Sequence, residues 1–554
     1  MKKAFALILV ILMMVTWRGG LATEEKQTEY GSGGYSYVLL EDGAAEISDY
    51  RGEASSLSIP STLDGYTVTS IGDEAFSYCD SLTSVTIPDS VTNIGGGAFS
   101  WCRSLSSVTI PDSVTSIGDE AFYLCESLSS VTIPDSVTSI GDEAFSYCDS
   151  LTSVTIPDSV TNIGGWAFFR CESLSSVTIG IAVEHVGANP FAACEALTQI
   201  VVSPDHPFLA TIDHVLFHKL DKRLICYPGG LSGTSYVVPD GIQSIGDRAF
   251  SRCKSLSSVT IPDSVTSIGG GAFAGCESLS SVTIGMGVEH VGINPFAACE
   301  ALTQIVVSPD HPFLATIDHV LFHKLDKRLI CYSGGLSGTS YVVPDGIQSI
   351  GDRAFSFCSS LSSVTIPDSV TSIGDRAFSR CKSLSSVTIP DSVTSIGDGA
   401  FYWCANLSSV AIPDSVTSIG DWAFDSCESL SSVTIPDSVT SIGDGAFSSC
   451  SSLSSVAIPD SVTSIGDWAF SSCSSLSSVT IPDSVTSIGD GAFYWCANLS
   501  SVTIPDSVTS IGDGAFSVCN NLTLTVGRDS YAKEYAIKND IPHIYPDTHD
   551  WLNN

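Results

Sequence analysis

The chain has 554 residues, 43% of them hydrophobic and only 15% charged, and its 60 acidic side chains against 23 basic ones give a formal charge of −37. That balance excludes a charge-rich disordered chain and makes nucleic acid and anionic lipid poor partners.

At the N-terminus, Lys2 and Lys3 precede an apolar run from Ala4 to Trp17, and small residues follow as far as Ala22. This layout predicts a secretory signal peptide over residues 1–22, with a retained signal-anchor as the alternative. The run would make about 21 Å of helix, short of a hydrocarbon core about 30 Å thick. Every later apolar cluster is broken by Ser, Asp or Gly, so no membrane-spanning segment is expected after it. Residues 23–70 are read as an N-terminal cap, because YSYVLLEDGAAEISDY (35–50) alternates about the Asp42-Gly43 pair as a hairpin does.

Seventeen cysteines then recur 23 residues apart in three series, 79 to 194, 253 to 299 and 358 to 519, separated by two intervals of 59. A fixed period of this length predicts stacked coils that share one core, here over residues 71–521 with irregular inserts near 198–247 and 303–352. In the unit Leu430 to Ser452, LSSVTIPDSVTSIGDGAFSSCSS, the alternation of Leu430, Val433 and Ile435 about Thr434 predicts a strand, which Pro436 ends. Val439 and Ile442 return to the core after the Asp437-Ser438 turn. Gly443 permits a tight bend, and Asp444 has the position of a helix N-cap. Ala446, Phe447, Cys450 and Leu453 share one helical face. The expected fold is an α/β repeat solenoid, a right-handed coil of short parallel strands with short helices on the opposite face. Residues 522–554 are read as a C-terminal cap containing an amphipathic helix, SYAKEYAIKND.

The recurring L-x-x-V-x-I-P-x-x-V-x-x-I-G-x-x-A-F-x-x-C resembles the BspA-type, or treponemal-type, leucine-rich repeat. LEDGAAEI and SYAKEYAIKNDIPH resemble the ends that such proteins carry. IDHVLFHKLDKRLICYP (212–228), which recurs 105 residues later with Ser333 in place of Pro228, resembles a family segment in which Gly is usual where His214 stands. The resemblance implies a curved solenoid on a secreted or cell-surface protein, often used for adhesion to host or neighbouring-cell macromolecules; the expected partner is a host or neighbouring-cell protein or glycan, and no cofactor is expected.

Adjacent equivalent cysteines would sit about 4.7–4.9 Å apart with parallel Cα–Cβ vectors, too far and wrongly aimed for a disulfide, so buried thiols are expected. Cys226 and Cys331 lie outside the series. If DHVLFHK is a strand, His214 and His218 share a face, and zinc competes with ordinary strand roles there. Two aspartate columns, one through Asp89, Asp112 and Asp135 and one through Asp73, Asp119 and Asp142, are open to turn-forming and capping roles or to calcium. No unique nucleophile and base stand together, so an enzyme is not expected. The variable positions around Ala-Phe carry Trp101, Trp166, Phe169, Tyr402, Trp403, Trp422, Trp468, Tyr494 and Trp495. Predicted to point away from the core, they either form a partner-binding face or pack against neighbouring coils. Adhesion through a rigid multivalent surface is the expected function, and an envelope spacer without a specific ligand is the alternative.

Overall fold

The computed structural model describes residues 28–546; the expected signal peptide lies outside them. Strand Tyr35–Leu39 pairs antiparallel with Ala45–Tyr50, which pairs parallel with Tyr66–Ile71 and opens the stack. From there each coil contributes to two parallel ladders. One is built from S-V-T strands such as Ser432–Thr434, the other from two-residue S-I strands such as Ser441–Ile442. In both, each residue pairs with its equivalent 23 positions on, as Val433 does with Val456 and Ile442 with Ile465. The chain is thus a solenoid of stacked parallel strands. Leu430, Val433 and Ile435 are buried and Thr434 is exposed, so the alternation sorts them onto the two sides of the strand.

The expected helix on the opposite face is absent. The segment that carries Ala-Phe is a succession of turns, and among the described residues the one α-helix is the C-terminal Tyr531–Lys538, capped by Ser530. The backbone donors explain why. Ala446, Ser448 and Cys450 donate their N–H to carbonyls three residues back, at 3.3, 2.9 and 3.3 Å. Between them, Gly445, Phe447 and Ser449 donate to Asp467, Ala469 and Ser471 of the next coil, at 2.7, 2.8 and 2.7 Å. A helix would keep every donor inside its own coil and leave the stack unbonded on this side. So short a helix also does not offset its nucleation cost.

Two further expectations change for the same reason. Gly443 makes no left-handed bend; a Cβ there would lie 2.6 Å from Oδ1 and 2.8 Å from the backbone nitrogen of Asp421 in the preceding coil. Asp444 caps no helix; its Oδ1 accepts the N–H of Asp467 in the next coil at 2.8 Å. The same clamp runs from Asp352 through Asp375, Asp398 and Asp421 to Asp490. Ser and Thr do similar work. Ser438 Oγ donates to the Val416 carbonyl at 2.6 Å, and Thr440 Oγ1 to Thr417 at 3.4 Å.

Inside the stack, successive phenylalanines lie nearly parallel, with ring centroids 5.2 Å apart for Phe401 and Phe424 and 5.4 Å for Phe424 and Phe447. In most coils the cysteine donates its thiol to the phenylalanine carbonyl of the preceding coil, as Cys450 does to Phe424 at 3.2 Å, while Cys253, which follows an insert, donates to Tyr227. All cysteines among the described residues are free thiols, and all but Cys79 are buried, including Cys226 and Cys331. Burial pushes Cys381 and Cys473 up to about 12.

Each insert forms a partition. Strands Leu209–Ile212, Val215–His218 and Arg223–Cys226 make an antiparallel sheet whose last strand joins the next S-I ladder. Leu209, Leu216 and Ile225 face the core that precedes it, while Val215, Phe217 and Leu224 face the core that follows. Leu314, Val320 and their neighbours repeat the arrangement 105 residues on, dividing the interior into three clusters.

The two aspartate columns therefore differ in consequence. Asp444→Ala removes the acceptor for the Asp467 amide and is expected to lower stability by about 1–2 kcal/mol in urea unfolding. Asp437→Ala, at an exposed turn with no such bond, is expected to stay within about 0.5 kcal/mol of the parent.

Candidate functional site

The turn face presents two columns of side chains, one immediately before Ala-Phe and one immediately before Cys. Both columns sit at left-handed backbone positions, as with φ 56° for Trp166, 58° for Trp422 and 58° for Trp403. A left-handed residue turns its side chain off the coil, and only some of these sites carry Gly, so large groups are held rigidly on the outside. In the regular 23-residue coils every Lys and Arg falls in this turn segment.

The expected binding residues divide. Trp403 and Trp495 are exposed, each at 37%. The other seven are half-buried by their neighbours. Trp101 stacks on Tyr78 with centroids 5.6 Å apart and meets Tyr123 edge-on at 6.1 Å. Phe169 meets Tyr147 at 5.4 Å, and Arg248 lies 5.0 Å from the Trp166 ring and 5.4 Å from Phe169. Tyr494 packs edge-on against Trp468 at 5.5 Å, and Tyr402 lies 6.1 Å from Trp403. The Trp422 ring fills the space where a Cβ on Gly445 would stand, and Trp468 lies the same way over Gly491, 2.5 Å from the would-be Cβ.

One group stands out electrostatically. The Arg380 guanidinium is 5.1 Å from the Phe357 ring and 4.9 Å from that of Trp403, and Lys382 lies 5.8 Å from Trp403. Arg376, four residues earlier in the same coil as Arg380, is exposed. None of these three cations pairs with a carboxylate among the described residues, whereas Arg252 and Lys254 are both held by Glu195, at 3.2 and 2.8 Å. The aromatic content of this face was legible in the sequence. The cations escaped notice, although their confinement to one segment was there to be read.

A second residue that sequence reasoning missed is Asp425, fully buried where many coils have Ser. Ser426 Oγ donates to its Oδ2 at 3.3 Å, and its Oδ1 has no hydrogen-bond partner among the described residues. Burial pushes its carboxyl up to about 7. Burial likewise takes Glu143 up to about 7, with Glu120 adding to the shift and Arg248 opposing it.

The histidines of the inserts are not brought together as a site. His214 occupies the Asp213-His214 turn at φ 67°, off the strand, which explains why Gly suits that position. His218 is buried, with Nδ1 accepting the Asp221 N–H at 3.2 Å. His206 bonds the Gly180 carbonyl through Nε2 and accepts two N–H groups at Nδ1. Among the described residues no three His, Cys, Asp or Glu side chains converge as a metal-binding group. No helix of these residues is long and apolar enough to cross a membrane.

The BspA type leucine-rich repeat model matches residues 55–219, 226–327, 328–453 and 394–523, in six copies. The chain belongs to this family. Similar solved structures include a leucine-rich cell surface protein of Faecalibacterium prausnitzii, 33% identical over 65% of this chain and 94% of that one, with a TM-score of 0.43. A leucine-rich repeat protein of Bacteroides ovatus is 24% identical over 94% of this chain and 100% of that one, with a TM-score of 0.29. The pneumococcal vaccine antigen PcpA is 16% identical over 94% and 99%, with a TM-score of 0.31. Comparison with curated proteins gives no match.

Asp425 makes stability depend on pH in a stated direction. Its carboxyl titrates near 7 in the folded chain against about 3.9 when unfolded, so the folded state holds the extra proton. Its contribution is present below about pH 4 and is lost as pH rises through 7. Asp425→Ser is expected to be the more stable chain at pH 8, with the gap narrowing by about 2–4 kcal/mol by pH 4.5 in denaturant titrations at both values.

Proposed function

We propose that this BspA-type protein is secreted or surface-displayed and binds a protein or glycan of a host or neighbouring cell, in adhesion, through its turn face. The observation that carries the reading is the sandwich of Arg380 between Phe357 and Trp403, with Lys382 5.8 Å from the same Trp403 ring and Arg376 exposed in the same coil. Aromatic and Arg side chains held rigid in advance lose little entropy on binding, which is why they dominate interface hot spots. Equivalent positions recur on every coil, so weak contacts at Trp403, Trp495 and the half-buried aromatics between them add up through fixed spacing. The cell-surface description of the Faecalibacterium relative is in keeping with this location.

The alternative, an envelope spacer without a specific ligand, draws support from Trp101, Trp166, Trp422 and Trp468, whose rings already serve neighbouring coils. The two readings part at the exposed residues. Trp403→Ser combined with Trp495→Ser is expected to weaken binding to arrays of matrix protein, mucin or glycan at least tenfold, about 1.4 kcal/mol, with the unfolding midpoint nearly unchanged. Full binding by the double variant would favour the spacer.

A further inference from the structure

The S-V-T ladder is interrupted at each insert. Gln199–Val202 ends one sheet and Ser235–Val237 begins the next; Gln304–Val307 and Ser340–Val342 do the same 105 residues later. The last backbone bond across each junction comes before the strands, from Gly230 N–H to the Leu197 carbonyl at 2.8 Å and from Gly335 to Leu302 at 2.9 Å. A softer interruption at Ser130 differs, since a bridge to Ser107 remains and the 23-residue spacing is kept. At the inserts both flanking strands present an edge without ladder partners among the described residues.

The outward side chains change at these same edges. Along the ladder the column reads Thr155, Thr178, Val201, and it resumes as Val237, Thr260, Thr283, Val306, then Val342 and Thr365. Valine thus replaces threonine on both lips of both breaks and nowhere else in that run. These valines are 40% and 65% exposed at the first break and 39% and 66% at the second. Beside them, Ile181 and Met286 stand exposed where most coils place the turn aspartate. The charged groups lining the adjoining concave surface are all carboxylates, Asp135 and Asp158 in one block and Asp240 and Asp263 in the other, with no Lys or Arg among them.

We propose that each break is a strand-addition site for an extended peptide segment of a partner protein, carrying alternate aliphatic side chains flanked by Lys or Arg. Main-chain bonds to the free edge supply the attachment, the valine lips hold the aliphatic side chains, and the aspartates select basic flanks. The chain's own S-V-T strands present Ser and Thr outward and are followed by Asp, so a second copy lacks both features. Two equivalent sites on one rigid body would engage a partner bearing the segment twice. This surface lies on the strand edge and is independent of the turn-face reading.

The probe is the peptide acetyl-Lys-Val-Thr-Val-Thr-Val-Lys-amide, titrated into the full chain by calorimetry with hydrogen exchange as a second readout. Two peptides should bind per chain, slowing amide exchange at least tenfold in the strands at 199–202, 235–237, 304–307 and 340–342. Val201→Lys should leave one site, and Val201→Lys with Val306→Lys none. A control with proline in place of both threonines, which lacks two backbone donors, should bind at least tenfold more weakly. Trp403→Ser with Trp495→Ser should leave the peptide stoichiometry at two. The proposal is overturned if no protection appears at these strands, or if the proline control binds as well as the probe. It is equally overturned if these strands are already protected by self-association of the chain in light scattering, or by a glycan in place of the peptide.

Discussion

The division of backbone N–H groups on the turn side governs this molecule. Every second donor closes a turn within its own coil, and the donors between them reach the next coil. That alternation requires left-handed φ at fixed places and equal chain length between coils. It also brings neighbouring backbones so close that Gly443 and its equivalents tolerate no Cβ. Asp, Ser, Thr and Cys recur so faithfully because each adds a bond from one coil to its neighbour.

The same constraint separates the faces. Inward residues stack on copies of themselves, and the strand side offers a nearly uniform surface of Ser, Thr and exposed Asp. Variation is left to the left-handed positions, where a non-glycine residue costs about 1–2 kcal/mol. Trp, Arg and Glu are kept there in many coils in spite of that cost, and the cations and exposed indoles collect on this side as a result. The inserts are the other departure from uniformity, since their partitions face two cores and interrupt the strand ladder between them.

Much of this was legible in the residues. The 23-residue period fixed the stacking, and the alternation at Leu430, Val433 and Ile435 fixed which side chains turn inward. The run of turns in place of the expected helix was not legible, because Ala446, Phe447, Cys450 and Leu453 have spacings that suit one helical face and a run of turns equally. What separates the two is where N–H groups donate, and side-chain patterns carry no record of that. Left-handed positions were masked by the Trp, Arg and Glu found where Gly would have announced them. The apolar runs VLF and LIC in the inserts signal burial on both sides, but a single coil gives no hint that two different cores are involved. Of the aromatic face, the membership was legible but not the burial, which depends on what the next coil supplies.

Trp422 over Gly445 and Trp468 over Gly491 give the turn face a longer rhythm than the core beneath it. For the core, one coil is as good as any other; for this column, the repeating element is a pair. Loss of a single coil in this part of the gene either sets indole against indole, when a glycine coil goes, or leaves glycine beside glycine, when a tryptophan coil goes; an even step keeps the alternation. The identical IGDGAFYWCANLSSV segments beginning at Ile396 and Ile488 are four coils apart, a spacing of two such pairs.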